Sequence, residues 1–202
     1  MLQIRLHGRG GQGTVTAAEM LSLAAFEQGR HAQAFPSFGS ERTGAPVVAF
    51  CRIAGREIRS REPVMAPDVL VVQDPTLLHQ VDVFQGLKPD GWVLINSGRG
   101  LAELGLAELA ARLPPGHAAT VPASEIALAR LGRPLPNAAL LGGLAALAGI
   151  VSLEAVAQAI RDTFSGRVAD ANILAAADAH AWVLEHAAPA APRPETEGAA
   201  PC

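Results

Sequence analysis

The sequence is poor in cysteine and in charged residues. Its 202 residues include two cysteines, no tyrosine and 17% charged residues, and the formal net charge is −3. Two thiols, Cys51 and Cys202, are too few to ligate a four-cysteine iron–sulfur cluster or a zinc ribbon. The acidic balance argues against a dedicated nucleic-acid-binding protein. Because disulfides need an oxidising compartment, the low cysteine content also favours a cytoplasmic protein.

Long apolar runs are missing as well. The longest, 138–151, contains three glycines and is too short to span a bilayer, so we expect no membrane span. No secretory signal is visible before the first strand-like run. Half of the residues are nevertheless apolar, which excludes a wholly disordered chain and favours one folded domain.

Alternating strand and helix patterns predict a three-layer α/β/α domain with a mostly parallel sheet, an extra hairpin and a helical C-terminal third. Strand-like runs occur at 3–7, 32–35, 47–53, 68–73, 91–95 and 117–121, and 57–59 is expected to complete a hairpin with 47–53. Helical patterns occur at 14–28, 101–113 and 137–148, after Ser152, and at 170–185. The domain is expected to cover 1–186, and the proline- and alanine-rich residues 187–202 are expected to form a disordered tail.

A glycine-rich turn follows the first strand. Gly8, Gly10 and Gly13 satisfy G-x-G-x-x-G ahead of a helix that Thr14 or Thr16 is expected to cap, and such a turn suits a phosphate. Dinucleotide binding also needs an acidic residue at the end of the second strand, but residues 33–35 carry no carboxylate. No Lys-Ser/Thr pair follows, which excludes a P-loop. A tight turn without any ligand is the alternative.

Three separated blocks resemble one known family. They are His-Gly-Arg-Gly-Gly-Gln-Gly at 7–13, Phe-Gly-Ser-Glu-Arg-Thr-Gly-Ala-Pro-Val at 38–47, and Arg-Pro-Leu-Pro-Asn-Ala-Ala-Leu-Leu-Gly at 133–142. In this order they resemble the gamma subunit of 2-oxoacid:ferredoxin oxidoreductases, and the similarity extends from residue 2 to residue 185. The second block is closer to the pyruvate and branched-chain enzymes, although Thr43 stands where arginine is often found.

The resemblance implies a chain that acts within a complex. Enzymes of this kind convert a 2-oxoacid and coenzyme A into acyl-CoA, CO₂ and a reduced acceptor. Thiamine diphosphate, Mg²⁺ and [4Fe-4S] clusters serve that chemistry on the alpha, beta and ferredoxin-like delta subunits. The resemblance therefore predicts a non-catalytic gamma subunit without its own metal, and ferredoxin or an NAD-linked acceptor reached through its partners. Pyruvate is the favoured substrate, with branched-chain 2-oxoacids and arylglyoxylates as alternatives.

Binding residues are expected where the strands end, because ligands of open α/β sheets gather at the carboxyl ends of the strands. Together with the resemblance, this predicts that one edge of the sheet contacts coenzyme A or a partner chain. The residues assigned to that edge are Gly8, Gly10, Gly11, Gln12, Gly13, Glu41, Arg42, Asn96 and Ser97. Two other classes stay open: a stand-alone dinucleotide-dependent enzyme and an interaction module without a ligand.

Several other residues have structural interpretations. The arginines at 52, 56, 59 and 61 are expected to lie on a solvated strand face, with phosphate or acidic-partner binding as the alternative. Cys51 is interpreted as a small core residue, and His7 as a hydrogen-bonded structural histidine. Gly142 and Gly143 lie inside a helical pattern, which predicts close packing against another backbone.

Overall fold

The strands that the structure describes form one six-stranded sheet. The computed structural model describes residues 1–37 and 43–187, and the strand order is β2-β3-β1-β4-β5-β6. The parallel strands β1, β4, β5 and β6 lie side by side, whereas β3 runs antiparallel to β1 and β2. This arrangement confirms the mostly parallel α/β sheet. The strands are β1 Leu2–Arg9, β2 His31–Pro36, β3 Pro46–Ala54, β4 Val69–Val72, β5 Trp92–Asn96 and β6 Ala118–Val121.

Six α-helices and a short 3-10 helix, Pro75–His79, complete the described structure. The helix at 137–148 has the predicted bounds, but the predicted helix 101–113 is reduced to its second half, because Gly105 adopts a left-handed φ of 73°. A helix at 123–131 was not predicted. The helices are α1 Thr14–Glu27, α2 Ala107–Arg112, α3 Ala123–Leu131, α4 Asn137–Ala148, α5 Leu153–Thr163 and α6 Gly166–His186. Beyond Ala187, the predicted tail lies outside the described residues.

The predicted hairpin partner of β3 was wrong. Residues 57–59 form no strand, because both edges of β3 are already hydrogen-bonded, one to β1 and the other to β2. The antiparallel partner that precedes β3 in the chain is β2, and residues 37–45 join the two strands. The antiparallel pair of strands β2 and β3 therefore lies at the lateral edge of the sheet, next to the glycine turn that follows β1.

The larger hydrophobic core lies on one face of the sheet and is covered by α1, α4, α5 and α6. Here α4 and α6 approach closely at Gly142, where a Cβ atom would overlap the Ala176 carbonyl oxygen and lie 2.5 Å from the carbonyl carbon. The prediction of close backbone packing is thus confirmed at Gly142. Ser152 caps α5 as predicted, since its Oγ atom accepts a hydrogen bond of 3.1 Å from Ala155 N–H.

The opposite face has a thinner cover. Along β4 and β5, Leu70, Val72, Val93 and Ile95 pack against the 3-10 helix, α2 and the loops around them. Along β1 and β3 the cover is an irregular segment, held by two arginines that donate to its backbone carbonyl oxygens. Arg5 donates to Val64 O, and Arg52 donates to Ser60 O and Glu62 O. Arg52 is 2% exposed, so the solvated strand face predicted for it was wrong. Among the described residues, no helix combines the length and apolarity needed to cross a membrane.

Candidate functional site

The glycine loop, residues 10–13, joins β1 to α1 at the carboxyl end of the sheet. Gly13 has a left-handed φ of 71°, and a Cβ atom there would lie 2.7 Å from Asn137 Nδ2. A Cβ atom on Gly8 would overlap Thr14 Oγ1. These two glycines therefore let the loop pack directly against the first residues of α1 and α4. The N-cap of α1 is Gly13, so the prediction that a threonine caps this helix was wrong.

A polar cluster anchors the glycine loop to the end of β4. The Gln12 side chain donates from Nε2 to Asp74 Oδ2 over 2.8 Å and accepts from the Arg9 backbone N–H over 2.9 Å. Arg9 donates from Nε to the same carboxylate oxygen over 3.1 Å. Burial raises the pKa of Asp74, but hydrogen bonds from Thr76 and Gln12 and the charge of Arg9 outweigh burial and hold that pKa below its ordinary value.

The ends of β5 and β6 also lie at the carboxyl end of the sheet, beside the end of β4. Asn96 donates from Nδ2 to Gln73 O and to Ser124 Oγ, each over 2.8 Å, and accepts from Ser124 N–H over 3.1 Å. Its side chain therefore ties β5 to β4 and to the start of α3. Asn96 and Ser97 line a cleft of about 510 Å³, together with Arg99 and Glu125. We call this the strand-end cleft.

A larger cleft opens on the other side of the glycine loop. It measures about 670 Å³, and its walls include Gly11 and Gly13. Three arginines line this cleft: Arg130, Arg133 and Arg167. An apolar group on its wall consists of Leu131, Leu135, Phe164 and Val168. We call this the arginine cleft. Because it combines cationic and apolar walls, it suits a ligand with both anionic and apolar parts.

The arginines of this cleft are not equivalent. Arg130 is paired with Asp178 through contacts of 2.6 Å and 3.0 Å, so its charge is compensated. Within the described parts of the chain, Arg133 and Arg167 have no carboxylate partner, and both side chains are exposed. Arg133 and Arg167 are therefore the cations available to an anionic ligand.

Three helix N-termini face the arginine cleft. The lining residues Gly13, Asn137 and Arg167 belong to the starts of α1, α4 and α6, and none of these helices has a side-chain N-cap or an acidic residue in its first turn. In contrast, α2, α3 and α5 each carry a glutamate there. Backbone N–H groups without an intrahelical partner and the helix dipole favour an anion at such positions. At the start of α4, one such group, Ala138 N–H, donates to Asn137 Oδ1 over 2.9 Å. Thr14 Oγ1, buried at the start of α1, has no hydrogen-bond partner among the described residues.

The structure divides the predicted site residues between these features. Gly11 and Gly13 line the arginine cleft, whereas Asn96 and Ser97 line the strand-end cleft. Gly8 lies in β1, and Gly10 and Gln12 are the loop residues that hydrogen-bond on the sheet side of the glycine loop. Glu41 and Arg42 lie outside the described residues.

The three arginines of the cleft, Arg130, Arg133 and Arg167, were not predicted from the sequence to have a function. They lie in the last turn of α3, in the loop before α4 and at the start of α6, so no spacing rule connects them. A signal existed in the helix starts, because neither α4 nor α6 carries an acidic residue in its first turn. That pattern acquires meaning only when the helix ends are known to meet.

The described residues do not fit a metal or iron–sulfur site. Among them, no group of three or more metal-ligating side chains comes together. Burial raises the pKa of the Cys51 thiol to about 12, so this cysteine is a protonated core residue, as predicted. Burial and then the charge of Arg5 lower the pKa of His7 to about 4. His7 is buried, but its Nε2 atom has no hydrogen-bond partner among the described residues.

Comparisons with known proteins agree on one family. The family model of pyruvate ferredoxin/flavodoxin oxidoreductase matches residues 3–182. The common subunit gamma of the pyruvate/ketoisovalerate oxidoreductases of Thermococcus kodakarensis is 50% identical over 179 residues, which cover 89% of this chain and 95% of the relative. The pyruvate synthase subunit PorC of Methanothermobacter marburgensis is 48% identical over 176 residues, 87% of this chain and 94% of the relative.

A solved structure extends this agreement to the fold. The crystal structure of the pyruvate oxidoreductase subunit PORC of Thermotoga maritima superposes with a TM-score of 0.74 at 38% identity, covering 89% of this chain and 95% of that one. The matched residues include both the glycine loop and the helices around the arginine cleft. The chain therefore belongs to the pyruvate ferredoxin/flavodoxin oxidoreductase family, as one of its gamma subunits.

Proposed function

We propose that this gamma subunit binds coenzyme A for a 2-oxoacid:ferredoxin oxidoreductase, and that the arginine cleft holds the phosphates of the coenzyme. The observation that carries the proposal is that three helix N-termini without a side-chain N-cap or a first-turn acidic residue converge with Arg133 and Arg167 on one cleft. Coenzyme A is a polyanion with an adenine ring and a long, partly apolar arm. Phosphates pair with arginines and with helix N-termini.

The apolar wall of the cleft suits the remainder of the coenzyme. Leu131, Leu135, Phe164 and Val168 line the same space as the arginines, and the glycine loop supplies backbone at its rim. The volume of about 670 Å³ falls within the range of small-molecule sites, roughly 300–1,000 Å³. We place the phosphates near Arg133 and Arg167 and the apolar parts along this wall.

The contribution of this chain to the reaction is binding and orientation. In the complex, thiamine diphosphate with Mg²⁺ supplies the carbon chemistry and [4Fe-4S] clusters carry the electrons. The described residues of this chain do not fit those groups, since Cys51 is a buried, protonated thiol and no metal-ligating cluster is present among them. Holding coenzyme A in place lowers the entropic cost of acyl transfer, which a binding subunit can achieve without a catalytic residue.

The substrate and the partners are part of the same proposal, and the names of the relatives support the choice of substrate. Two of them are named for pyruvate, and one is common to the pyruvate and ketoisovalerate enzymes. We therefore favour pyruvate, with branched-chain 2-oxoacids as the alternative. The proposed partners are the alpha, beta and ferredoxin-like delta chains, in the cytoplasm.

Steady-state kinetics of the purified complex test this function. Replacing both Arg133 and Arg167 by alanine removes the two unpaired cations of the cleft, so we expect the KM for coenzyme A to rise about tenfold or more. The KM for pyruvate and the kcat at saturating coenzyme A should stay within about twofold of wild type. Because the lost interaction is electrostatic, the wild-type KM for coenzyme A should rise with salt more steeply than that of the double variant.

Arg99→Ala is the matched control, because Arg99 lines the strand-end cleft instead. We expect its KM for coenzyme A to match wild type. An increase confined to Arg99→Ala would move the coenzyme to the strand-end cleft. If neither variant changes the KM for coenzyme A, this chain does not bind the coenzyme through either cleft.

A further inference from the structure

We propose that Asp74 is a positioning residue for coenzyme A, one that acts through Gln12 and Arg9 to hold the glycine loop in the shape that lines the arginine cleft. Asp74 lies at the end of β4, on the sheet side of the loop, and it does not line the arginine cleft. Its effect on the ligand is therefore indirect and depends on the coenzyme A function proposed above.

The Asp74 carboxylate accepts four hydrogen bonds. Oδ2 accepts from Gln12 Nε2 over 2.8 Å and from Arg9 Nε over 3.1 Å. Oδ1 accepts from the backbone N–H of Thr76 over 2.9 Å and from its hydroxyl over 2.6 Å. Since all four partners are donors, the position requires a group with two acceptor oxygens and no donor, which is an ionised carboxylate.

These bonds reach the main chain of the glycine loop. Gln12 supplies the one side chain of residues 10–13, because the other three are glycines. With its Nε2 held by Asp74, its Oε1 accepts from Arg9 N–H, and its backbone carbonyl oxygen accepts from Gln73 Nε2 over 2.5 Å. Gln12 is thus fixed at both its amide and its backbone, and it lies between Gly11 and Gly13, which both line the cleft.

Arg9 extends the same cluster to the segment that pairs with the loop. Its Nη1 donates to Gly44 O over 3.0 Å, while Gly44 N–H donates to Gly10 O over 3.0 Å. Gly10 N–H in turn donates to Ala45 O over 2.9 Å. Asp74 therefore holds the glycine loop from two sides, through Gln12 and through Arg9.

Asp74→Asn preserves the shape of the side chain but replaces one of its two acceptor oxygens by an NH₂ donor. If the amide oxygen stays on Thr76, the new NH₂ group faces two donors, Arg9 Nε and Gln12 Nε2. Rotation of the Gln12 amide turns its oxygen towards the new NH₂ group and relieves one conflict. The same rotation turns the Gln12 NH₂ group towards the Arg9 backbone N–H, which donates to the Gln12 oxygen in the wild type. The mismatch thus passes into the glycine loop, whose glycines offer little resistance to a change of conformation.

Kinetics of three variants and one control variant in the assembled complex test this positioning role. For Asp74→Asn and Gln12→Met we expect the KM for coenzyme A to rise about tenfold, equivalent to about 1.4 kcal/mol, with kcat within about twofold of wild type. Asp74→Glu keeps the charge and both acceptor oxygens, so we expect it to recover most of the affinity. Gln80→Ala is the control: it removes an exposed 2.8 Å hydrogen bond to Arg9 Nη2 and leaves the carboxylate intact, so its KM should match wild type.

The arginine variants separate the possible failures. If Arg133→Ala with Arg167→Ala raises the KM for coenzyme A but Asp74→Asn and Gln12→Met leave it unchanged, the positioning role is wrong and the arginine cleft stands. A fall in kcat at unchanged KM also overturns the positioning role. If the arginine variants have no effect, the coenzyme A function itself is wrong. Should Asp74→Asn fail to assemble, Gln12→Met decides the outcome, because it is neutral and retains the length of the side chain.

Discussion

The contact between α4 and α6 gives the sharpest test of the fold. Gly142→Ala places a methyl group that would overlap the Ala176 carbonyl oxygen and lie 2.5 Å from its carbon and 2.7 Å from its Cα. All three atoms belong to the α6 backbone, so relief requires one helix to move. The neighbouring Gly143 lies in the same helix, but its added Cβ would meet Leu94, Val121 and Val183 side-chain atoms at 3.4–3.5 Å.

The two substitutions have the same intrinsic effect on α4. Replacing an internal glycine by alanine favours a helix by about 1 kcal/mol. Overpacking costs about 1–3 kcal/mol even where side chains can adjust, and at Gly142 the obstacle is backbone. We therefore expect Gly142→Ala to lower the free energy of unfolding by about 2 kcal/mol or more, and Gly143→Ala to change it by less than about 1 kcal/mol.

Thermal unfolding of the full-length chain measures this difference. For a domain of this size about 1 kcal/mol corresponds to about 2–4 °C in Tm, so Gly142→Ala should melt roughly 4–8 °C below wild type. Gly143→Ala should melt within about 4 °C of it. Equal Tm values for the two variants, or a Gly142→Ala variant as stable as wild type, would refute the close approach of α4 and α6.

Three further predictions concern single residues. Ser152→Ala removes the 3.1 Å cap of α5 and should cost about 1 kcal/mol in a denaturant titration; an unchanged midpoint would exclude the cap. Cys51, with its pKa raised to about 12, should resist alkylation at pH 8 until denaturant is added, as read by peptide mass spectrometry. Because the pKa of His7 is lowered to about 4 in the folded state, the unfolded chain binds the proton more readily. The contribution of His7 to the free energy of unfolding is therefore complete above pH 6.5 and is lost as the pH falls towards 4. That loss amounts to roughly 3 kcal/mol, and an NMR titration of the His7 ring that gives a pKa near 6.5 would contradict it.

The sequence carried enough local information for most of the fold. The run at 69–72 is continuously apolar and forms β4, which is buried on both faces, and Ser152 marks the start of α5 correctly. The helix that was not predicted, α3, begins after Pro122 without a side-chain cap. Its hydrophobic face is narrow, with Ala123 and Ala127 buried. Neither a cap nor a clear periodicity was therefore available to identify it.

Tertiary pairing explains the remaining errors. The segment 57–59 follows a short glycine-containing turn, but β3 has no free edge because β1 and β2 occupy both of its sides. Arg52 looks like a surface residue in sequence, yet it is buried where an irregular segment offers carbonyl oxygens in place of a helix. Such positions depend on what covers the strand, which local patterns do not encode.

One part of the candidate site was predicted from the sequence and the other part was not. The glycine loop was identified from its spacing, since positive φ values and close approach both require glycine there. The arginine cleft was not, because Arg133 and Arg167 lie 34 positions apart in sequence and meet only through the packing of α3, α4 and α6. The charge of the cleft is a property of the assembled fold.

A structure of the assembled complex with coenzyme A bound tests directly whether the arginine cleft holds the phosphates of the coenzyme. We predict that phosphate oxygens of the coenzyme lie within hydrogen-bond distance, about 2.7–3.2 Å, of the Arg133 and Arg167 guanidinium groups, beside the glycine loop. Coenzyme A bound with its phosphates elsewhere, and with the arginine cleft of this chain free of ligand, would contradict it.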